Sequence, residues 1–265
     1  MDLELQGKTA FVTGSTAGIG LAIAKSLASE GASVVVNGRT EARVRAAVEA
    51  VNVSSGGKSA VRGIVADLGT QAGCKRALSE LAEVDILVNN LGIFEAKPFI
   101  QITDEEWLHF FEVNVLSGVR LSRAYLPGML LRNWGRILFI SSESALQIPA
   151  EMIQYGTTKT AQLAVARGLA ELTAGTAVTV NSILPGPTKS EGVTDFVSGL
   201  AAQQGKSADD VERDFFIHAR PSSLLKRFET PEEIADFVAF VASPRAAAIS
   251  GAALRVDGGV VRSIG

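Results

Sequence analysis

The chain has 265 residues, of which 47% are hydrophobic and 20% are charged, and it contains a single cysteine. This composition predicts a globular protein with a large core and excludes a disordered chain or a disulfide framework. The formal net charge of −3 argues against a nucleic-acid partner. The low count of metal-binding residue types, with two histidines and one cysteine in the chain, argues against a metal site.

The sequence shows no membrane or secretion signal. The N-terminal stretch "MDLELQGKTAFVTG" carries acids where a signal peptide would carry positive charge. No apolar run reaches the roughly 18 residues that a membrane-spanning helix needs. We therefore expect a cytoplasmic protein without a membrane partner.

Short runs rich in β-branched residues alternate with longer segments rich in alanine and leucine. Apolar residues at consecutive positions are typical of strands that are buried on both faces. The alternation predicts right-handed βαβ units, and hence one doubly wound α/β domain with a parallel sheet between helices. The predicted strands cover residues 8–13, 33–37, 60–66, 85–89, 136–141, 178–183 and 252–256.

Helix boundaries are marked by capping residues. Gly31 is expected to end the first helix, because glycine readily adopts the left-handed conformation found there. Thr103 and Glu106 have the spacing of a capping box, and so do Thr230 and Glu233. Each box predicts that a helix begins at that point.

Residues 187–228 interrupt the alternation, because no convincing strand occurs there. Long insertions in compact domains commonly bind or cover a ligand. We expect this segment to form a substrate cap. Its apolar residues face either the substrate or the core of small helices; they are Phe196, Phe215, Phe216 and Ile217.

The glycine-rich stretch "TGSTAGIG" (13–20) lies between the first predicted strand and the first predicted helix. Glycines allow backbone N–H groups to approach a phosphate closely, and the following helix presents its positive end. In this strand–loop–helix context the pattern predicts dinucleotide binding. The expected contacts of the cofactor are Gly14, Ser15, Thr16, Gly18, Ile19 and Gly20.

The end of the second strand bears on the choice of cofactor. In NAD-binding folds an acidic residue here bonds the ribose hydroxyls, but this chain has Asn37, Gly38 and Arg39. A guanidinium binds a phosphate in a two-pronged geometry. This favours NADP(H) over NAD(H), with Asn37 and Arg39 as contacts. The alternatives are a solvated Arg39 and an NAD(H)-preferring dehydrogenase.

Polar residues also follow the third and fourth strands. Asp67 and Leu68 stand in "VADLG", and Asn90 and Gly92 stand in "NNLG". Because ligands bind in the crevice at the carboxyl ends of such strands, we expect these four residues to contact the cofactor.

The stretch "SSESALQIPAEMIQYGTTK" begins at Ser141, where the fifth strand ends, and it closes with Tyr155 and Lys159. The tyrosine and the lysine are four apart and share one helix face. A carbonyl that is reduced at carbon needs a proton at oxygen, and a nearby cation would lower the tyrosine pKa toward that task. Ser142 would hydrogen-bond the substrate oxygen.

Several motifs in this order resemble the short-chain dehydrogenase/reductase family, in particular its 3-oxoacyl-acyl-carrier-protein reductases. The resemblance covers essentially the whole chain. It is carried by "TGSTAGIG", "DL" (67–68), "NNLG", "VNV" (113–115), the spacing of Ser142 and Tyr155, "YGTTK", "NSILPGPTKSEG" and "ISGAALRVDGG".

This resemblance implies further properties. The fold would be a Rossmann domain with seven parallel strands in the order 3-2-1-4-5-6-7. Asn114 would be the catalytic asparagine of a proton relay, and Lys159 would also bind the nicotinamide ribose. The "PGPT" segment would contact the nicotinamide through Pro185, Gly186 and Thr188. The C-terminal helix and "VDGG" imply a homotetramer or a homodimer.

The chain departs from the family pattern at a few positions near the expected site. Leu91 replaces the usual alanine of the "NNAG" motif and must be accommodated. Glu143 follows the serine pair and points either to a polar or cationic substrate group or to solvent. Glu151 and Gln154 add polarity that is expected at the substrate site.

The function expected from these residues is an NADP(H)-dependent oxidoreductase that interconverts a ketone and a secondary alcohol. Its partner is a small carbonyl or alcohol substrate, which the sequence does not name. One alternative is an NADP-binding regulator that has lost catalysis, although the serine, tyrosine and lysine are all present. Another is an epimerase or dehydratase acting on nucleotide sugars, although the short C-terminal tail argues against it.

Overall fold

Seven parallel strands form one sheet in the order β3-β2-β1-β4-β5-β6-β7. The computed structural model describes residues 2–190, 193–194, 198–199, 201 and 205–264. The strand order implied by the family resemblance is confirmed, and each predicted strand is present. The strands are β1 (Thr9–Val12), β2 (Ser33–Gly38), β3 (Val61–Val65), β4 (Ile86–Asn89), β5 (Gly135–Ile140), β6 (Val178–Pro185) and β7 (Ala253–Val256).

Helices cover both faces of the sheet. One face packs against α1, α2 and α8, and the other packs against α3, α5 and α6. The prediction of a doubly wound sheet is therefore confirmed. The helices are α1 (Gly18–Ser29), α2 (Glu41–Ser55), α3 (Gln71–Glu80), α4 (Asp104–Phe111), α5 (Ser117–Leu131), α6 (Ile153–Leu172), α7 (Ala208–His218) and α8 (Pro231–Ala242).

The central strand β1 shows why the strands are apolar at consecutive positions. Ala10 and Val12 lie in the core cluster beneath α1 and α8, whereas Phe11 lies in the cluster on the opposite face. Phe11 is in register with Val35 of β2 and Leu87 of β4, which share its cluster. Successive side chains of a strand point to opposite faces, so a sheet covered on both faces has apolar residues at every position.

The predicted caps are present. Gly31 has a φ of 93° just after α1, the left-handed conformation that glycine adopts at low cost. Thr103 accepts a hydrogen bond from the Glu106 N–H while the Glu106 side chain accepts one from the Thr103 N–H. Thr230 and Glu233 form the same reciprocal pair at the start of α8.

One local feature was not predicted. Between α4 and α5 the chain forms a π-helical turn at Glu112–Leu116, so that the two helices run on as one bent unit. A π-turn inserts one residue into a helix and often marks a functional site. The hydrophobic period of the sequence gives no sign of it, because the apolar face shifts by a single position.

Part of the predicted cap segment 187–228 lies in the core. The rings of Phe215, Phe216 and Phe228 form a cluster with pairwise centroid distances of 5.1 Å. For Phe216, which is buried, the core alternative is correct, whereas Ile217 is exposed. Phe196 lies outside the described residues. The assignment of the segment as a substrate cap stays a prediction.

In the part of the chain that the structure describes, no helix combines the length and the apolar character needed to cross a membrane.

Candidate active site

The glycine loop enters α1 with its backbone open to an anion. Gly14 and Gly18 have φ values of 60° and 53°, which favour glycine. A Cβ on Gly20 would stand 2.4 Å from Nδ2 of Asn90, so no larger residue fits there. The N-cap residue Ala17 provides no side-chain hydrogen bond to the first turn. A phosphate can therefore take the position of the missing cap.

Asn37 and Ser15 support this loop from within the protein. The Asn37 amide donates to the carbonyls of Ile64 (3.2 Å) and Ala66 (3.0 Å), and its Oδ1 accepts from the Gly14 N–H at 3.1 Å. The Ser15 N–H donates to the Asn37 carbonyl, and the Ser15 hydroxyl accepts from the Asn37 N–H. Both side chains are buried. They position the loop, and their direct contact with a cofactor stays a prediction.

The end of β2 has little space for a side chain at Gly38, where NAD-binding folds place an acid. A Cβ on Gly38 would stand 2.4 Å from Cγ2 of Thr16, so Thr16 fills the space that a larger residue would need. Arg39 follows directly and is exposed. Ile19 packs its side chain against the core cluster beneath α1, and its contact with a cofactor stays a prediction.

Asp67 and Leu68 occupy the carboxyl end of β3 in different ways. The Asp67 side chain is exposed, and its Oδ1 accepts a hydrogen bond from the Gly69 N–H at 3.0 Å. The Leu68 side chain belongs to the core. Any contact of Leu68 with a cofactor therefore comes from its backbone.

Asn90 connects β4 to the glycine loop. Its side-chain amide donates to the carbonyls of Thr13 (3.0 Å) and Gly14 (3.1 Å), and its N–H donates to the Thr13 hydroxyl at 2.9 Å. Leu91, which departs from the family pattern, packs against the core cluster that contains Phe11. The larger side chain is thus accommodated by the core.

The two serines after β5 have separate tasks. The Ser141 hydroxyl donates to the Lys159 carbonyl at 2.9 Å and so fastens α6 to the strand end. The Ser142 hydroxyl accepts from the Ser144 N–H at 3.1 Å, and it is close enough to the Tyr155 side chain to lower the pKa that burial raises. Ser142 is therefore the serine that faces the tyrosine.

Tyr155 and Lys159 lie one turn apart on α6, with Nζ 5.5 Å from the centre of the tyrosine ring. The Lys159 ammonium donates to the Ile140 carbonyl at 2.9 Å and is buried. Burial raises the pKa of Tyr155 to about 12, whereas the Ser142 hydrogen bond lowers it. Burial lowers the pKa of Lys159 to about 7.

These shifts differ from the sequence-based expectation that the lysine lowers the tyrosine pKa. In the protein alone, desolvation of the tyrosine outweighs the Ser142 hydrogen bond and the nearby charges. Lowering the pKa of Tyr155 to a useful range therefore requires further positive charge at the site.

Asn114 lies in the π-helical turn and is 1% exposed. Its Oδ1 accepts from the Ile93 N–H at 2.8 Å, and its Nδ2 donates to the Ile93 carbonyl and the Thr158 hydroxyl, each at 3.0 Å. Its carbonyl accepts from Nε2 of Gln162 at 2.6 Å. These bonds join the loop after β4, the bent helix and α6.

Gly92 lies at the point where the lysine and the asparagine approach each other. A Cβ on Gly92 would stand 3.4 Å from Nζ of Lys159 and 3.5 Å from Oδ1 of Asn114. The structure thus brings Asn114, Lys159, Tyr155 and Ser142 together, as the sequence-based prediction requires.

The "PGPT" segment follows β6. The Gly186 N–H donates to Oε2 of Glu229 at 3.1 Å, and the Thr188 hydroxyl donates to the Gly186 carbonyl at 2.9 Å. Burial raises the pKa of Glu229 to about 7, and the hydrogen bond from Gly186 lowers it. Pro185 ends the strand. Contacts of Pro185, Gly186 and Thr188 with a nicotinamide stay predictions.

The interpretation of Glu143 as a group that faces substrate or solvent is wrong. Glu143 is 3% exposed, and its Oε1 accepts from Nε of Arg220 at 2.9 Å. Gln154, expected at the substrate site, is buried as well, whereas Glu151 is exposed. A carboxylate buried in this way needs a partner, but the sequence does not indicate that the partner is an arginine 77 residues away.

Sequence reasoning also missed Phe94. This exposed side chain lies 6.3 Å from the Tyr155 ring, between ring centres, in an edge-to-face arrangement. Phe94 therefore offers an exposed apolar surface beside the tyrosine ring. The described residues contain no cluster of three or more histidine, cysteine, aspartate or glutamate side chains that would hold a metal ion.

Comparison with known proteins identifies the class. Residues 8–200 match the family model described as short chain dehydrogenase, so the chain belongs to the short-chain dehydrogenase family and is an NAD(P)-dependent oxidoreductase. It is 49% identical to the uncharacterized oxidoreductase YvaG of Bacillus subtilis over 264 residues, covering 100% of both chains.

Two solved structures are similar over nearly the whole chain. L-sorbose reductase from Gluconobacter frateurii, complexed with NADPH and L-sorbose, is 32% identical with a TM-score of 0.93 and full coverage of both chains. A putative NAD(P)-dependent gluconate 5-dehydrogenase from Beutenbergia cavernae with bound NADP is 33% identical with a TM-score of 0.86, covering 99% of this chain and 100% of that one.

Burial of Lys159 predicts a specific pH dependence of stability. Because its pKa falls from 10.5 to about 7 on folding, the unfolded chain binds the extra proton between these values, and stability rises with pH across this window. Lys159→Met removes this penalty, which is about 5 kcal/mol below pH 7. We expect the free energy of unfolding of Lys159→Met, relative to wild type, to decrease from pH 7 to pH 10 in urea titrations.

Lys75→Met on α3 is the matched control, since Lys75 is exposed. Its stability relative to wild type should not change across this range. Parallel stability curves for Lys159→Met and wild type would show that the lysine is not held in a lowered-pKa state.

Proposed function

We propose that the protein is an NADP(H)-dependent oxidoreductase that interconverts a ketone and a secondary alcohol, with Tyr155 as the acid–base group. The observation that carries this proposal is the convergence of Ser142, Tyr155, Lys159 and Asn114 beside the glycine loop. These four residues come from three elements: the turn after β5, the first two turns of α6 and the π-helical turn. A regulator without catalysis has no need to hold these four groups together.

NADPH, when bound, supplies the hydride for the carbonyl carbon. The open first turn of α1 and the backbone of the glycine loop suit its pyrophosphate. Asn37 and Ser15 hold that loop in place. The remaining residues assigned to the cofactor are Thr16, Ile19, Arg39, Asp67, Leu68, Asn90, Gly92, Pro185, Gly186 and Thr188, together with Tyr155 and Lys159.

The protein's own residues manage the proton. In the reducing direction Tyr155 donates its hydroxyl proton to the substrate oxygen, while Ser142 hydrogen-bonds that oxygen and stabilises the developing charge. Lys159, with a pKa of about 7, exchanges protons readily near neutral pH and restores the proton of the tyrosine. Asn114 fixes the loop and helix that surround this relay.

A small polyhydroxylated ketone is the substrate class that we propose to test first. Support comes from the L-sorbose in the structurally similar reductase. In this chain the exposed Glu151 carboxylate offers a hydrogen-bond acceptor for substrate hydroxyls. Phe94 offers an apolar surface beside Tyr155.

We also propose that the chain forms one domain in which residues 187–228 act as a substrate cap. It would work in the cytoplasm as a homotetramer or homodimer, whose interface includes α8 and the "VDGG" segment. Analytical ultracentrifugation of the intact protein decides the assembly state, and a monomer at all concentrations would refute this part.

Tyr155→Phe tests the reaction class. Removing the hydroxyl removes the general acid, which typically contributes about 10²–10⁴-fold in rate. We expect kcat/KM for NADPH-dependent ketone reduction to fall by about 10³-fold, while calorimetric binding of NADPH persists. The assay uses a panel of ketones that includes L-sorbose, with the reverse reaction on the alcohols.

Tyr125→Phe is the matched control, because the chain has only two tyrosines. The Tyr125 hydroxyl donates to the Leu81 carbonyl at 2.8 Å in the core, so this variant should keep its activity. A folded Tyr155→Phe with near-normal turnover would refute the role of Tyr155. A wild-type protein that binds NADPH but converts nothing would favour the regulator.

Arg39→Ala tests the cofactor preference. Loss of charge-assisted hydrogen bonds to the 2′-phosphate should weaken NADPH binding by about 10–100-fold and leave NADH binding unchanged in calorimetric titrations. Arg45→Ala on α2 is the control and should bind both cofactors like wild type. Equal affinity of the wild type for the two cofactors would contradict the preference for NADP(H).

A further inference from the structure

Arg220 makes contacts that the reaction scheme above does not use. It follows the last turn of α7 and is 8% exposed. Its Nε donates to Oε1 of Glu143 at 2.9 Å, and its Nη1 lies 3.4 Å from Oε1 of Glu151 and 2.9 Å from the Ala219 carbonyl. One guanidinium from the proposed cap segment thus contacts two carboxylates.

The two carboxylates stand at the ends of the stretch between the catalytic serine and the catalytic tyrosine. Glu143 is the residue directly after Ser142, and Glu151 precedes Tyr155 by four positions. The turn that begins at Glu143 rests on Ser142, whose hydroxyl accepts from the Ser144 N–H. Arg220 therefore links the part of the chain that presents Ser142 to the part that leads into Tyr155.

The Glu143–Arg220 ion pair is sensitive to the loss of either of its two side chains. Burial raises the pKa of Glu143, and the Arg220 guanidinium is the largest influence that lowers it, followed by the Ser144 hydroxyl. Removing the arginine alone leaves the Glu143 carboxylate buried without its counter-charge. Removing both charges leaves no buried charge that lacks a partner. In the variant that lacks only the arginine, the turn that carries Ser142 would shift so that the Glu143 carboxylate reaches solvent or takes up a proton.

Glu143 and Arg220 also act on the tyrosine in opposite directions. The charge of Glu143 raises the pKa of Tyr155, and the charge of Arg220 lowers it. The other charged groups nearby are Lys159, whose Nζ lies 5.5 Å from the centre of the tyrosine ring, and Asp257, whose charge acts on Glu143. The ion pair thus keeps the charge beside the tyrosine close to balance.

We propose that Arg220 is a positioning residue that, through Glu143 and Glu151, fixes Ser142 relative to Tyr155 and balances the charge beside the tyrosine. The proposal rests on the proposed function, since it deepens the description of the same site. It gives the cap segment a role in catalysis beyond covering the substrate. It also explains the departure from the family pattern at Glu143, which takes part in an internal ion pair.

Three variants test the proposal: Arg220→Gln, Glu143→Gln and the double variant. A displaced catalytic group commonly costs on the order of 10²-fold in rate. We expect Arg220→Gln to lower kcat by about that factor while the Kd for NADPH changes by less than about 3-fold. The double variant should recover about 10-fold or more of this loss, because it removes the uncompensated carboxylate.

The pKa of Tyr155 gives a second readout. A merely structural role of Arg220 would not shift this pKa in opposite directions in the two single variants. In a Tyr125→Phe background Tyr155 is the only tyrosine, so ultraviolet titration reports its pKa without cofactor or turnover. Arg220→Gln should raise this pKa and Glu143→Gln should lower it. The titration remains decisive if no substrate is found, so failure of the proposed function and failure of this inference are distinguishable.

Arg213→Gln on α7 is the matched control, since Arg213 pairs with Asp210 in an exposed ion pair of the same segment. It should match wild type in kcat and in tyrosine titration. The proposal is overturned if Arg220→Gln is as active as Arg213→Gln, if the double variant shows no recovery, or if both single variants move the tyrosine pKa in the same direction. Should Arg220→Gln fail to fold, Glu143→Gln and the double variant decide it by the same readouts.

Discussion

Side-chain amides hold the carboxyl edge of the sheet together, and the candidate site depends on them. Asn37 ties the glycine loop to β3, and Asn90 ties the same loop to β4. Asn114 ties the loop after β4 to α6. Parallel strands bring their ends to one edge, but they leave the loops there without ladder partners. The amides satisfy those loop groups and so convert a sheet edge into a rigid platform for a cofactor and for catalysis.

Burial sets the chemistry of this platform. Desolvation disfavours both the tyrosinate and the lysine ammonium, so Tyr155 has a pKa of about 12 and Lys159 one of about 7. In the protein alone Tyr155 is therefore protonated, which is the state that proton donation to a substrate oxygen requires, whereas oxidation of an alcohol requires the tyrosinate. Positive charge brought by an oxidised nicotinamide would favour the tyrosinate. In the proposed reaction, the charge of the oxidised cofactor would therefore help to form the tyrosinate that oxidation of an alcohol requires.

Much of the fold followed from the sequence for physical reasons. A strand covered on both faces must be apolar at every position, as Phe11 and its neighbours show, and caps such as Thr230 mark where helices begin. The order of the strands came from motif resemblance, since local pattern does not encode which strands pair. Ser142, Tyr155 and Lys159 were predicted from motif spacing and Asn114 from the family resemblance, and the structure brings the four residues together. The π-turn and the Glu143–Arg220 pair were missed, because one depends on a single inserted residue and the other on a contact between distant segments.

The proposed reaction transfers a hydride from the cofactor to the carbonyl carbon of the substrate at this site. Reduction of ketones, L-sorbose among them, with NADPH in which both hydrogens on nicotinamide C4 are replaced by deuterium measures this directly by mass spectrometry of the alcohol. The account predicts that one deuterium appears on the carbinol carbon of the product with wild type. It would be contradicted if wild type bound the deuterated cofactor with ordinary affinity and no deuterium appeared in any product of the panel.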